Sequence, residues 1–264
     1  MKRSPAIPIS FARVRRRVIL TLLLLQLFFA AVCICTVLRE DIPSRDAIYY
    51  CDVVDHLYHA GVANWREETF SGLPPLFFFL MLLGRYLGLS SMAAGLTISI
   101  GSGCVLIAVI FRCVRTFTGS IRQALCAAVL TASLPFFLKL GTQMLRDLPY
   151  YVCYVWFLEQ GYSALKTGKL RHFLLAAAAM SLEMLLRKEG LELLPAWGIC
   201  SLWVLFRGGN RVERRKIWTG LVCGGLTWGL ITCGFLFCLR SLTAATWSPW
   251  LWGSIKNIAR AAFF

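Results

Sequence analysis

The chain has 264 residues, of which 58% are hydrophobic and only 16% are charged, and its formal net charge is +15. A soluble domain of this length needs more polar surface than this composition supplies, so the soluble globular classes are excluded. The basic residues lie between long apolar runs and form no stripe with interleaved aromatic residues, which favours membrane topology signals and contacts with anionic lipid headgroups over nucleic-acid binding.

Seven apolar runs are long enough to cross a bilayer, which takes about 20 residues in a helix. In chain order they are 18–38, 91–111, 123–140, 149–165, 172–187, 190–206 and 217–239. The first run follows a basic leader, residues 1–17, and no small-residue cleavage site comes after it, so it is predicted to remain as an uncleaved span. The sequence therefore predicts an all-α, polytopic transmembrane helix bundle of about seven spans over residues 18–240, followed by an external or interfacial tail, 241–264.

The distribution of basic residues predicts the orientation of the chain. The apolar segment from Pro75 to Leu87 is too short to cross and is interpreted as interfacial or re-entrant. The cytoplasmic segments are then the leader and the loops 112–122, 166–171 and 207–216. They hold most of the 28 lysine and arginine residues and only one acid, Glu213. The positive-inside rule thus predicts a multi-pass protein of the plasma or inner membrane with a cytoplasmic N-terminus.

The only long polar stretch, residues 39–74, is predicted to lie on the external side. Hydrophobic residues such as Ile48 and Val54 recur in it at helical spacing, with Ser44 placed to cap the start of a helix and Gly61 its end. This pattern predicts a short amphipathic helix on the membrane surface. Four of its residues could hold a divalent metal or simply pair with one another in water: Asp52, Asp55, His56 and His59.

Two acids and several glycines fall inside the predicted spans. Glu159 and Glu183 are expected to face the bundle interior or a wet cavity, because an unpaired acid in lipid is costly. Arg187 is the predicted partner of Glu183 at i,i+4, whereas Glu159 has no local partner. Glycines at seven positions predict close helix packing: Gly95, Gly101, Gly103, Gly224, Gly225, Gly229 and Gly234.

Several short motifs follow one another in an order that resembles the polytopic GT-C glycosyltransferases. They are Asp46-x-x-x-Tyr50, Gly72-Leu-Pro-Pro-Leu76, Leu83-Gly-Arg-Tyr-Leu-Gly88, Phe111-Arg112 through Gly119, Leu145-Arg146-Asp147 and Leu186-Arg187-Lys188-Glu189-Gly190-Leu191. The branch that they resemble is the protein-mannosyltransferase and aminoarabinose-transferase-like family, glycosyltransferase family 39. The resemblance covers roughly residues 15–200, and because relatives of this kind are longer, the chain is expected to be truncated or unusually short.

The resemblance implies that a sugar is transferred from a polyprenyl-phosphate carrier to an acceptor on the external face of the membrane. By motif, Asp46 takes the place of the family's first catalytic acid and Asp147 that of its second external acid. A carboxylate at this surface can remove the proton of an attacking hydroxyl or amine, and cations beside it would offset the phosphate charge of the leaving carrier. The implied substrate-binding residues are Tyr50, Arg146, Arg187 and Lys188.

Each candidate residue also has a purely structural interpretation. Asp46 and Asp147 stand near predicted helix N-termini, where an acid is favourable in any protein. Tyr50 could be an interfacial aromatic residue, and Arg187 and Lys188 could be snorkelling cations at the end of a span. Two other functions stay open: a truncated, non-catalytic membrane protein, and a transporter or flippase of a lipid-linked substrate. The sugar and the acceptor are not predicted.

Overall fold

The computed structural model of the chain describes residues 9–39, 44–61, 75–207 and 211–242. These residues form ten α-helices and one short 3₁₀ helix and contain no β-strand. In chain order the α-helices are α1 (Ile9–Val37), α2 (Arg45–Ala60), α3 (Leu76–Tyr86), α4 (Ser91–Thr118), α5 (Ile121–Ser133), α6 (Pro135–Thr142), α7 (Asp147–Thr167), α8 (Leu170–Leu186), α9 (Leu193–Arg207) and α10 (Arg211–Leu242). The 3₁₀ helix, Lys188–Glu192, connects α8 to α9. The predicted all-α helix bundle is confirmed.

Several of these helices are suited to crossing a membrane. Within the described residues, α1, α4, α10 and the segment from the 3₁₀ helix through α9 are long and apolar enough to do so. The predicted span 123–140 is instead two helices, α5 and α6, which form a fifth crossing only if they are taken together. The chain bends by 52° between them at Pro135, because a proline holds the preceding residue, here Leu134, in an extended conformation. The protein is a polytopic membrane protein, and the count of seven spans remains a prediction.

The centre of the bundle is formed by α4, α7 and α8. Helix α7 packs against both α4 and α8, while α1 lies against α4 and α10 lies against α8. The outer surfaces of α1, α9 and α10 carry exposed large apolar side chains such as Leu27, Phe206 and Leu230. An apolar surface of this extent is expected to face lipid.

The amphipathic helix predicted in the external stretch is confirmed as α2. The Ser44 hydroxyl accepts a hydrogen bond from the Ala47 amide, and the Gly61 amide donates to the Leu57 carbonyl, so both predicted caps are confirmed. The buried face of α2 packs against α3, which has only 11 residues and fits the interpretation that this segment does not cross. The remainder of the predicted loop lies outside the described residues, as does the predicted tail after Leu242, where α10 ends.

Close packing at glycine is confirmed at some of the predicted positions. A Cβ atom at Gly103 would lie 2.2 Å from Cε1 of Phe29, and one at Gly95 would lie 2.4 Å from Cγ of Met144. A Cβ atom at Gly224 would lie 3.3 Å from the carbonyl oxygen of Phe173. The structure does not bear the prediction out at four other positions, where an added Cβ would have no neighbour within 4 Å among the described residues: Gly101, Gly225, Gly229 and Gly234.

We expect Gly103→Ala to destabilise the bundle by about 1–3 kcal/mol, the usual cost of overpacking a filled interface. The Phe29 ring is buried and also lies close to Gly141, which leaves it little room to move away. Thermal unfolding in detergent measures the change. Gly101→Ala on the same helix is the matched control, and it should be neutral or stabilising because alanine favours a helix more than glycine does. Equal unfolding temperatures for the two variants would contradict the close approach of α1 to α4.

Candidate active site

The site is assembled where α7 begins and α8 ends. Asp147 is the first residue of α7, and its carboxylate accepts a hydrogen bond from the guanidinium of Arg187, which caps the end of α8. The Nε of Arg187 also lies 3.2 Å from Oε2 of Glu189, and its guanidinium carbon lies 5.3 Å from the centroid of the Tyr150 ring. Arg187 is therefore held by two carboxylates and an aromatic face.

The predicted pairing of Glu183 with Arg187 is wrong. The backbone of Arg187 is extended, with φ −149°, so its side chain no longer follows the i,i+4 geometry of the helix. Glu183 is fully buried. Its carboxyl group interacts with the Tyr150 hydroxyl, yet neither carboxylate oxygen has a hydrogen bond of normal geometry to a described residue. Tyr150 thus lies between Glu183 and Arg187.

The other acid within a predicted span, Glu159, has a partner that local spacing could not reveal. Nη2 of Arg112, on α4, lies 3.1 Å from Oε1 of Glu159 on α7. The acid is buried, as predicted, while the arginine side chain is largely exposed. This pair joins α4 to α7. It is separate from the Arg187 cluster, which consists of Arg187 with Asp147, Glu189 and Tyr150.

Tyr50 connects α2 to that cluster. Its side chain is almost completely buried in the protein, whereas its expected position at the membrane surface suggested an exposed interfacial aromatic residue. Burial raises the pKa of its phenol; Arg146 lowers that pKa, Asp46 and Asp147 raise it, and Arg187 lowers it. The charges of these predicted site residues therefore all act at one hydroxyl group. The structure brings together residues that lie far apart in the sequence.

Two charged groups at this site have no partner among the described residues. The carboxylate of Asp46 is exposed in the first turn of α2 and forms no ion pair or hydrogen bond with them. Nη1 of Arg146 is buried and has no hydrogen-bond partner there. The backbone of Lys188 opens the 3₁₀ helix, but its side chain lies outside what is described. Among the described residues, the carboxylate of Asp46 and one guanidinium nitrogen of Arg146 are thus available for a ligand.

The four residues considered as metal ligands do not form such a site within the described part of the chain. There, no three histidine, cysteine or acidic side chains come together as a metal ion requires. Instead, Asp55 accepts hydrogen bonds from Nε of Arg85 at 3.1 Å and from the Ser91 hydroxyl at 2.6 Å, and Arg85 also lies over the Tyr58 ring. This contact attaches α2 to α3 and α4. The other three candidates are exposed: Asp52, His56 and His59.

Comparison with known proteins gives one family. The sequence model of the family described as dolichyl-phosphate-mannose-protein mannosyltransferase matches residues 73–233. The matched range contains Arg146, Asp147 and Arg187, whereas Asp46 and Tyr50 precede it. No curated protein matches the chain.

Proposed function

The chain belongs to the dolichyl-phosphate-mannose-protein mannosyltransferase family, and on that premise we propose that it moves a sugar from a polyprenyl-phosphate-linked donor to an acceptor on the non-cytoplasmic face. Membership makes it a membrane glycosyltransferase of the GT-C type. The observation that carries the finer proposal is the set of charges around the Tyr50 phenol, which come from α2, the start of α7 and the end of α8. It supports one site shared by these three helix ends.

The position of the site along α1 supports the external face. The Ser44 hydroxyl, at the start of α2, donates to the Gln143 carbonyl at 3.2 Å, just before α7 begins. The site therefore lies near the end of α1 that is distant from the N-terminus. If the basic leader lies in the cytoplasm, as the positive-inside rule predicts, a single crossing by α1 would place this end outside.

In the proposed reaction Asp46 is the general base. Its carboxylate is exposed and unpaired among the described residues, so it is available to accept the proton of the acceptor hydroxyl. The acceptor oxygen forms a bond to the anomeric carbon of the sugar. The bond between that carbon and the phosphate oxygen breaks, and its electron pair leaves with the polyprenyl phosphate.

The leaving phosphate is best matched by Arg146. The guanidinium of Arg187 already forms ion pairs with Asp147 and Glu189, so it is less free to bind a ligand. The buried Nη1 of Arg146 lacks a partner among the described residues, and a phosphate oxygen would supply one. The same cation would stabilise the charge that develops on that oxygen as the bond breaks. We assign Asp147 the role of orienting Arg187, and the assignment of Lys188 stays a prediction.

Membrane vesicles from cells that produce the chain provide the test of donor and sidedness. We expect a radiolabelled sugar on polyprenyl phosphate to be transferred, and the product in right-side-out vesicles to be digested by an added glycosidase that cannot cross membranes. In inverted vesicles the product should be protected. Vesicles without the chain are the control. Transfer that is equally efficient from a nucleotide sugar in the purified protein would contradict the lipid-linked donor, and protection in right-side-out vesicles would contradict the orientation.

A further inference from the structure

A group of cations lies at the end of α7 that is distant from the candidate active site. Helix α7 has 21 residues, so it is about 30 Å long, close to the thickness of the apolar part of a bilayer. Asp147 at its start belongs to the Arg187 cluster, so Thr167 at its end lies near the opposite membrane surface. The loops at that surface, 166–171 and 207–216, are those that the positive-inside rule predicts to be cytoplasmic. Nothing in the proposed reaction uses this surface.

Two adjacent cavities, of about 180 and 350 Å³, open at this end of the bundle. Both are lined by Gly168, in the turn between α7 and α8, and by Lys216 near the start of α10. Gly168 has a φ of +62°, and an added Cβ would lie 3.4 Å from Cβ of Lys216, so the turn packs closely on α10. Four cations line the two cavities, and we call them the basic surface: Lys166, Arg214, Arg215 and Lys216.

The charges of the basic surface are not neutralised by the described part of the chain. All four side chains are exposed, and none forms an ion pair with a described residue. Nζ of Lys166 lies 5.3 Å from the centroid of the Tyr162 ring, a contact that leaves its charge in place. No acidic side chain whose position is described lines either cavity. Because like charges that lie close together repel one another, an anion bound between these cations would be stabilised.

The walls beneath the cations are apolar. The smaller cavity is also lined by Leu165 of α7, Val204 of α9 and Ile217 of α10, and Ile217 is part of the buried core between these helices. The next residue, Trp218, is exposed, as is common for tryptophan at the interface between membrane and water. Cations above apolar walls at this level of the membrane match a phospholipid, whose charged head adjoins its hydrocarbon chains.

We propose that the basic surface binds the head of an anionic phospholipid, and that this lipid links the turn between α7 and α8 to the start of α10. The lipid phosphate would lie beside Lys216, which lines both cavities, and an acyl chain would follow the exposed apolar side chains of α9 and α10. A topology signal alone requires only that cations lie on one side of the membrane. Unpaired cations around cavities with apolar walls are an additional feature, and a free phosphate would leave those walls in water.

Binding is tested with the full chain in phosphatidylcholine nanodiscs that contain a photoreactive phosphatidylglycerol. We expect crosslinks, mapped by mass spectrometry, on peptides from the end of α7 and the start of α10. The double variant Arg214→Gln/Lys216→Gln should lower this labelling roughly tenfold or more, since each cation near a membrane surface adds to the binding of an anionic lipid. The variant Arg214→Lys/Lys216→Arg keeps both charges and should stay within about twofold of the unchanged chain.

The matched control is Arg115→Gln/Arg122→Gln, which removes two exposed cations that do not line the cavities. They lie at the same end of the bundle, because Phe117 stacks on Tyr162 of α7 with ring centroids 4.4 Å apart. We expect this variant to be labelled like the unchanged chain. Equal losses in the two glutamine variants would show a general attraction of anionic lipid to this face and would overturn the specific site.

Two further arms identify the source of the anion. A photoreactive phosphatidylcholine should label these peptides much less than the phosphatidylglycerol does, and inorganic phosphate should not compete. Equal labelling by the zwitterionic probe would overturn the requirement for an anionic head. Displacement by inorganic phosphate would indicate a site for free phosphate and would overturn the lipid assignment.

Thermal unfolding tests whether the lipid links the helices. Phosphatidylglycerol in the nanodisc should raise the unfolding temperature of the unchanged chain more than that of Arg214→Gln/Lys216→Gln, because a ligand that binds only the folded state stabilises it. Equal shifts in the two chains would overturn the link. None of these measurements requires sugar transfer, so lipid binding by a chain that transfers no sugar would overturn the proposed function and support the lipid site.

Discussion

Asp46→Asn is expected to lower sugar transfer by roughly 10²–10⁴-fold, the usual contribution of a general base. The amide has nearly the shape of the carboxylate but cannot accept the proton of the acceptor. Because the Asp46 side chain is exposed and has no ion pair with a described residue, little packing or pairing is lost with it. The measurement is the initial rate of transfer from the lipid-linked donor, with membrane insertion and thermal unfolding followed in parallel.

Asp52→Asn is the matched control for this change. It removes the same charge from an exposed position on the same helix, and Asp52 is not among the groups whose charges act on Tyr50. We expect its transfer rate to stay within about twofold of the unchanged chain, as is usual for surface substitutions away from a site. Equal losses in the two variants would indicate a general effect of charge on α2, and an unaffected rate in Asp46→Asn would show that Asp46 is not the base.

The parts of the fold that follow from local pattern were predicted from the sequence. Helix α2, with its caps at Ser44 and Gly61, follows from hydrophobic spacing and from the residues that favour helix ends. The bend at Pro135 was missed because the run 123–140 is apolar throughout, although the proline itself carries the signal. The pairing of Glu183 with Arg187 failed for a related reason: the i,i+4 rule assumes a continuous helix, and α8 ends before Arg187.

Contacts between distant helices could not be read from the sequence. Arg112 and Glu159 are 47 residues apart, and Arg85 and Asp55 are 30 apart. Which basic residue meets which acid depends on helix packing, and the charge pattern of a single sequence does not encode that packing. The order of the motifs did identify residues that lie close together, including Tyr50 and Arg146. The motifs did not indicate which of the basic residues is free to bind the donor phosphate. The two ion pairs that Arg187 forms, with Asp147 and Glu189, are seen only in the folded chain.

Arg187→Gln is expected to lower both stability and transfer. It leaves the carboxylates of Asp147 and Glu189 side by side without their cation, in a region where the three side chains are 20–34% exposed. We expect a loss of about 1–3 kcal/mol in the free energy of unfolding, below the range for a fully buried pair because water still reaches these groups. Transfer should fall roughly 10²-fold, since the unpaired acids would draw Arg146 away from the donor phosphate. Thermal unfolding and initial rates measure the two effects.

Arg85→Gln separates an effect on the site from an effect on stability alone. Arg85 matches Arg187 closely: its side chain is 27% exposed against 26%, its Nε contacts a carboxylate, and its guanidinium lies over a tyrosine ring. We expect Arg85→Gln to cost a similar free energy of unfolding and to lose much less transfer, because its partner Asp55 is not among the charges around Tyr50. In the double variant Asp147→Asn/Arg187→Gln, one of the two stranded charges is removed, so part of the stability should return. If transfer returned to the same extent, Arg187 and Asp147 would be structural residues only, and the site would then have to be built from Asp46 and Arg146 without them.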